Sequence, residues 1–336
     1  MAETGILLDS TTVLPAGYVD RPDVTVIPVP IYAGGKEYRD GINLTEEQFI
    51  HLLETLPQRP STAVPGPGEF VSWYERMLQH HRHVVYPIAS RHLSGLFNAA
   101  VQAARSVPGA RVVVIDPADP AYPAESAGRS SGNAGWSTDG DDEGVLVLRS
   151  ADPDLPERLA QVRLLPAPTI TVMNTDFVAG GIALLAIHAL EAIDQGAGLE
   201  QVLQGLMEAK RGMGLYFILN KLDYVVDRVG YLQAFFGTLL HINPVLAVQN
   251  GQVQDVAKTR GEAKARRRMV ELVKARAGER AIDAIVLHAL APQDAQSLLV
   301  QLQSEVRVRN AWVSGIGCTV SRFTGRRGLG IAFTVV

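Results

Sequence analysis

Two hydroxyl-rich loops lead into helical patterns, and one of them could hold an anion. In Ser90-Arg91-His92-Leu93-Ser94-Gly95 the chain passes from an apolar run to a helix. The free N–H groups of a first helical turn placed there would point into the crevice at a strand's carboxyl end, which suits a carboxylate or a phosphate. Ser94 is equally suited to capping its own helix, a role that needs no ligand. The second loop, residues 60–70, carries Ser61 and Thr62 ahead of Pro65, Gly66 and Pro67, and read alone is a rigid turn with a cap.

Other chemistries fail on spacing. Gly325-Arg326-Arg327-Gly328-Leu329-Gly330 lacks the Walker lysine context, and no strand-linked G-x-G-x-x-G opens a helix with a downstream acid, so a nucleotide-binding fold is disfavoured. Serine, histidine and aspartate are present without a G-x-S-x-G elbow, which argues against a hydrolase triad. His80, His81 and His83 are not at the i, i+4 spacing that would put two metal ligands on one helix face. His288 ends an apolar strand pattern, a position open to an active residue or to a core histidine. Residues 256–280 hold nine basic and three acidic side chains, net +6. That run is either a solvated helix face or a dock for an acidic protein or a phosphate-bearing ligand, and DNA binding has no reading motif to support it.

The elements that must position these residues follow an α/β rhythm. Residues 5–8 read as a strand ending in Asp9-Ser10-Thr11-Thr12, and residues 24–31 as one β-branched run. Thr45 and Gln48 form a capping box that opens a helix. A helix over 67–80, a strand over 83–88, a helix over 94–105 and a strand over 111–115 then predict a largely parallel sheet. Between residues 116 and 157 ten acidic residues face two arginines, net −8, and the Gly- and Ser-rich centre has too little apolar surface to offset ordering. An acidic insertion near 116–165 is expected, with one candidate strand at 145–148. Regular pattern resumes with a strand at 169–173, an apolar helix at 177–195 and a helix at 199–210. Gly212 and Gly214 then mark a boundary, giving a first domain over 1–212 and a smaller α/β domain over 213–336. The second domain should contain a strand at 215–219 and a hairpin turning on Asn250-Gly251. A helix at 261–276, a strand at 282–288, a helix at 292–305 and strands at 311–316 and 330–335 complete it.

Composition agrees with a folded, two-domain chain. At roughly 150 residues per domain, 336 residues make a little over two. A net charge of −4 gives no global attraction to nucleic acid or anionic membrane. Cys318 stands alone, so neither an internal disulfide nor a cysteine-rich zinc site can form. Glu3 and Asp9 replace the basic start of a signal peptide, and the longest apolar stretch, 177–187, stops at His188, so a cytoplasmic location without membrane insertion is expected.

Taken in order, several segments resemble the DegV family of bacterial fatty-acid-binding proteins. They are Leu8-Asp9-Ser10-Thr11, Glu37-Tyr38-Arg39-Asp40-Gly41, Thr62 with Pro65 and Pro67-Gly68-Glu69-Phe70, and Ser90 with Leu93-Ser94-Gly95. Leu222-Asp223-Tyr224, Asn243-Pro244-Val245-Leu246, Asn250-Gly251, Lys258-Thr259-Arg260 and Gly325 with Gly328-Leu329-Gly330 continue the series. The resemblance implies two α/β domains with one long-chain fatty acid such as palmitate buried between them or within the first domain, with no cofactor. It implies a carboxylate held by Thr62 and Ser94, with Ser61 and Gly95 beside them, and it matches Arg260 and His288 to the family's basic-loop arginine and strand-end histidine. In relatives that work with a fatty acid kinase, the carrier presents its acid to a separate ATP-using subunit and is not itself the catalyst. This chain departs from the family at Ala63, where a serine is common, at Tyr231 in place of an arginine, and at Phe323 in place of a histidine. Lipid binding therefore carries over better than phosphoryl transfer.

Two rival readings are an acyl- or phosphate-handling enzyme using His288 and Asp9, and an interaction module acting through helix 261–276. Arg266, Arg267 and Arg268 project about 100° apart, so at least two should face water. The composition of the insertion also predicts that residues 121–163 can be excised with lipid binding retained.

Overall fold

Apolar runs buried along their whole length build the first sheet. The computed structural model describes residues 2–116, 145–149, 152–166, 168–219 and 242–336. Strands β1 (Thr4–Asp9) and β2 (Val24–Ile27) start the chain, followed by a small antiparallel sheet of β3 (Pro30–Ala33), β4 (Lys36–Arg39) and, after helix α1 (Glu46–Thr55), β5 (Ser61–Thr62). Helix α2 (Pro67–Leu78), β6 (His83–Ile88), α3 (Leu96–Arg105), β7 (Arg111–Ile115), β8 (Val145–Leu148), α4 (Leu155–Val162) and β9 (Thr169–Asn174) follow. The six-stranded sheet runs β2-β1-β6-β9-β7-β8, every pair parallel. β1 and β9 are buried at every position, as parallel strands covered on both faces must be. Leu7, Val84 and Tyr86 share one core with residues of α2 and α3, whereas their neighbours Ile6, Leu8 and Val85 share another with the helix that follows β9.

That helix, α5 (Gly180–Asp194), is apolar nearly all round, the pattern of a helix enclosed by protein. After α6 (Leu199–Arg211) the chain enters a second six-stranded sheet. Its members are β10 (Met213–Ile218), β11 (Ile242–Gln249), β12 (Gln252–Arg260), β13 (Ile282–His288), β14 (Val308–Gly315) and β15 (Leu329–Val335), in the order β12-β11-β10-β15-β13-β14. Only β13 and β14 are parallel. Helices α7 (Glu262–Ala277) and α8 (Pro292–Glu305) supply one core with this sheet, and Ile285, Leu287 and Ala332 join α5 in the other. A Cβ added to Gly180 would stand 3.0 Å from both Ala332 Cβ and Leu287 Cδ1, so the helix start approaches the second sheet as closely as a glycine allows. Among the described residues no helix is long and apolar enough to cross a membrane.

Local signals held and non-local ones shifted. The capping box at Thr45 and Gln48 is present, and Asn250 (φ 49°) and Gly251 (φ 74°) form the hairpin turn. The run 24–31, read as one strand, instead divides between two sheets, because Pro28 and Pro30 lack the N–H groups a continuous ladder needs. The helix after Ser94 starts one residue later than that serine's capping role requires: Gly95 is the N-cap, and Ser94 Oγ accepts from Leu96 N–H at 3.2 Å. Within the insertion, β8 does form, parallel to β7, and Leu148, Leu159 and Val162 are buried. Excising 121–163 would therefore remove the edge strand β8 and all of helix α4 along with residues 121–144, which lie outside the described residues.

Helix α9 (Gly317–Thr324), unforeseen from the sequence, is completed from the other end of the chain. Ile316 at its N-cap has no polar side chain, and the carboxylate of Asp40 takes that place. It accepts from Cys318 N–H (3.3 Å), Thr319 N–H (3.0 Å) and the Thr319 hydroxyl (2.5 Å). Beside it, Ser321 Oγ donates to Glu46 Oε1 at 2.7 Å and Arg322 Nε donates to the Pro60 carbonyl at 2.7 Å. At the opposite rim, Ser90 Oγ donates to the Gly251 carbonyl at 2.8 Å, pinning the hairpin tip to the first sheet.

Asp40→Ala should lower stability by about 1–3 kcal/mol, since a cap is lost and helix N–H groups are left buried; urea unfolding measures it, and limited proteolysis should cut sooner around α9. Burial raises the Glu46 carboxyl to about pH 7 from an ordinary 4.5. The folded state then holds that proton more tightly than the unfolded chain, so this group's contribution to stability falls as pH rises from about 4.5 to 7. Glu46→Gln should flatten that slope and raise the melting temperature at pH 8, with an effect on the order of 1 kcal/mol.

Candidate functional site

The strand order of the first sheet reverses beside β1: β2 lies on one side of β1 and β6 on the other. A crevice outside the carboxyl ends at such a reversal is where open α/β sheets bind ligands. β1 ends here in Asp9-Ser10-Thr11, and β6 runs on into the loop from Ala89 to Gly95 ahead of α3. The small sheet brings in a third element, because β3 pairs Ile31 with Thr62.

These three segments and the inner face of the second sheet enclose a cavity. Thr11, Thr62, Ser94 and Gly95 line it from the first half, and Phe217, Leu287 and Leu329 from the second. Phe323 and Thr324 of α9 close a further side. Among the described residues, no aspartate, glutamate, lysine, arginine or histidine lines it. Its polar groups are hydroxyls and the start of α3, whose leading N–H groups have no partner inside the helix. A carboxylate can be bound by such donors, and the remaining wall offers apolar packing alone.

Behind Thr11 lies a fully buried carboxylate. Asp9 accepts from Thr11 N–H at 2.9 Å, from the Tyr86 hydroxyl at 2.8 Å and from the Thr11 hydroxyl, and burial raises its pKa. Asp9 does not itself line the cavity; it fixes Thr11, which does. Thr319 is likewise fixed by Asp40, so two of the cavity's hydroxyls have their protons committed to buried carboxylates. Thr62 and Ser94 have no such commitment among the hydrogen bonds described.

Of the six residues expected at the site, Thr62, Ser94 and Gly95 come together on the wall. Ser61 pairs with Tyr32 in the small sheet and is exposed, outside the lining. Arg260 is exposed at the end of β12, opposite Ile242 and at the far end of the hairpin from its tip. His288 is half-buried at the end of β13, its Nδ1 buried without a partner and its pKa lowered by burial. It is not among the residues lining the cavity, although its neighbour Leu287 and its strand partner Leu329 are; a Cβ on Gly315 would be 3.0 Å from Glu46 Oε2 and 3.9 Å from His288 Cε1. Ala63 and Phe323, two of the departures from the family pattern, both line the cavity, and Tyr231 lies outside the described residues. Thr11 belonged to a turn already singled out, whereas Thr319 and Thr324 sit on a helix the sequence did not disclose.

The remaining candidates lie away from the cavity lining. His81 Nδ1 lies 2.8 Å from the Ala2 carbonyl, and among the described residues no cluster of three metal-ligating side chains exists. In α7, Arg266 pairs with Glu262 and with Asp294 (2.9 Å), and Arg268 with Glu271 (2.9 Å). Arg267 and Lys274 remain exposed.

Comparison with known proteins follows the same outline. A DegV domain-containing protein of Streptomyces coelicolor is 25% identical over 331 residues, covering 97% of this chain and 96% of the relative. Among solved structures, a DegV family protein from Thermus thermophilus, described by its fatty acid binding, superposes with a TM-score of 0.75 at 24% identity over 100% of both chains. The fatty acid kinase (Fak) B3 protein of Streptococcus pneumoniae, solved loaded with linoleic acid, gives 0.72 at 16% identity, again over 100% of both. The model of the DegV family, described as uncharacterised proteins, matches residues 3–127 and 158–335. That match takes in every strand of both sheets except β8 and every described segment of the cavity wall, and the chain belongs to the DegV family.

Proposed function

We propose that the protein binds one long-chain fatty acid in this cavity and carries it, without acting on it as a catalyst. The observation that supports this most strongly is a cavity with no charged wall among the described residues and free hydroxyls beside a helix start. A ligand suited to it has a long apolar body and one small polar end. Each buried methylene contributes about 0.8 kcal/mol, so the chain supplies most of the affinity and the head group sets orientation. Thr62, Ser94 and the N–H groups following Gly95 are the proposed head-group site, and Ala63 leaves it one hydroxyl poorer than the family pattern. Asp9 and His288, the pair an enzyme would need, do not line the cavity, which disfavours turnover.

The relatives described as fatty-acid-binding, one of them a component of a fatty acid kinase, support the same reading. By extension, the carrier would present its acid to a separate kinase subunit in the cytoplasm, with the exposed Arg267 and Lys274 of α7 available to an acidic surface. The two sheets would belong to domains meeting at residues 212 and 213, with the ligand lying between them.

Native mass spectrometry of protein purified from its own host should show one bound species with a fatty-acid mass. A spectrum of apoprotein alone would refute the reading. Thr62→Val combined with Ser94→Ala should leave the fold intact and weaken a fluorescent fatty acid by roughly 1.5–3 kcal/mol for each donor removed from a dehydrated carboxylate. Unchanged affinity in that titration would move the head group elsewhere.

A further inference from the structure

Behind the cavity wall lies a second depression. β10 and β11 are paired only over Tyr216–Ile218, opposite Ala247–Val245, so Met213–Leu215 part from Val248 and Gln249. Lys210 and Arg211 at the end of α6, Arg276 in the last turn of α7 and Asp176 line the opening. Lys210 Nζ is 2.6 Å from Asp176 Oδ2, and that half-buried pair neutralises itself. Arg211 and Arg276 are exposed, and neither has an ion-pair partner among the described residues. Each arginine complements the dipole of its own helix, which explains a cation at each helix end. It does not explain why both arginines line the same depression in a protein of net charge −4.

We infer that this depression is a second ligand site, which takes a phosphate group. Two planar guanidinium forks match the charge and the several acceptor oxygens of a phosphate dianion, whereas a single carboxylate would engage only one of them well. Leu215 and Val248 line both this depression and the apolar cavity, so the two sites share a wall while their chemistries stay separate. The phosphate has two sources, a free ion or a nucleotide, and the same guanidinium chemistry serves both.

Isothermal titration of the full chain with inorganic phosphate and, separately, with ADP tests this, ionic strength being held constant with sodium chloride. Saturable 1:1 binding of at least one of them is expected, and the tighter of the two identifies the source. Arg211→Ala with Arg276→Ala should weaken that binding about tenfold or more, while fatty-acid retention in native mass spectra is unchanged. Arg276→Gln alone should give a smaller loss in the same direction, which guards against misfolding of the double variant. Heats that never saturate with either ligand, or equal affinity in the double variant, would overturn the site. That failure would leave the fatty-acid reading intact, since lipid retention is read independently.

Discussion

The burial of α5 on two sides at once governs the rest of the molecule. Most helices in α/β proteins spend one face on a sheet and offer the other to water, but Gly180 to Leu190 is buried at nearly every position. One side meets the parallel sheet through Ile6, Leu8 and Val85, and the other meets Ile285, Leu287 and Ala332 of the mixed sheet. Neither sheet can withdraw without exposing apolar surface that this helix covers. The cavity exists because the two sheets are held at that spacing, and where the helix begins, Val178 and Ala179 form part of its wall.

Hydrophobic contact of this kind sets proximity without setting registration. Polar ties at the rim supply what α5 cannot: Asp40 on α9, Glu46 on Ser321, and Ser90 on the hairpin tip. They are directional, and they join segments as much as 279 residues apart. At the hairpin the tolerance is small, because a Cβ on Gly251 would come within 2.6 Å of Ser90 Oγ, at a φ that side chains rarely adopt. Among the described residues the cavity wall between the ties carries no charged side chain, so the carboxylates of the ties sit where they align the halves and away from where they would repel an acyl chain.

What could be read in the sequence was whatever a few adjacent residues decide. The capping box at Thr45, the Asn-Gly hairpin and the apolar strand over 83–88 depend on local geometry, and they formed where expected. Thr62, Ser94 and Gly95 could be singled out because they sit in loops next to helix starts. The opposite wall could not: Phe217, Leu287 and Leu329 look like any apolar strand residue until tertiary packing turns them toward Thr62. Helix α9 has eight residues and borrows its cap from Asp40, so no window around it carries the signal. Helix α4 was hidden for a different reason, since the acidic composition around it masked its short apolar face, whereas the candidate strand at 145–148 formed as β8 by pairing with β7.

The cap that Asp40 provides also bears on how such a chain can evolve. A helix whose first turn is completed by a residue near the opposite end of the sequence makes each half carry a defect that only the other repairs. The carboxylate of Asp40 would be a buried charge without donors, and α9 would present bare N–H groups. Exchange of one half between relatives therefore succeeds only where both members of the pair travel together or have drifted in step. The cap thus acts as a compatibility lock, tying the histories of two segments that are distant in the gene and adjacent in space.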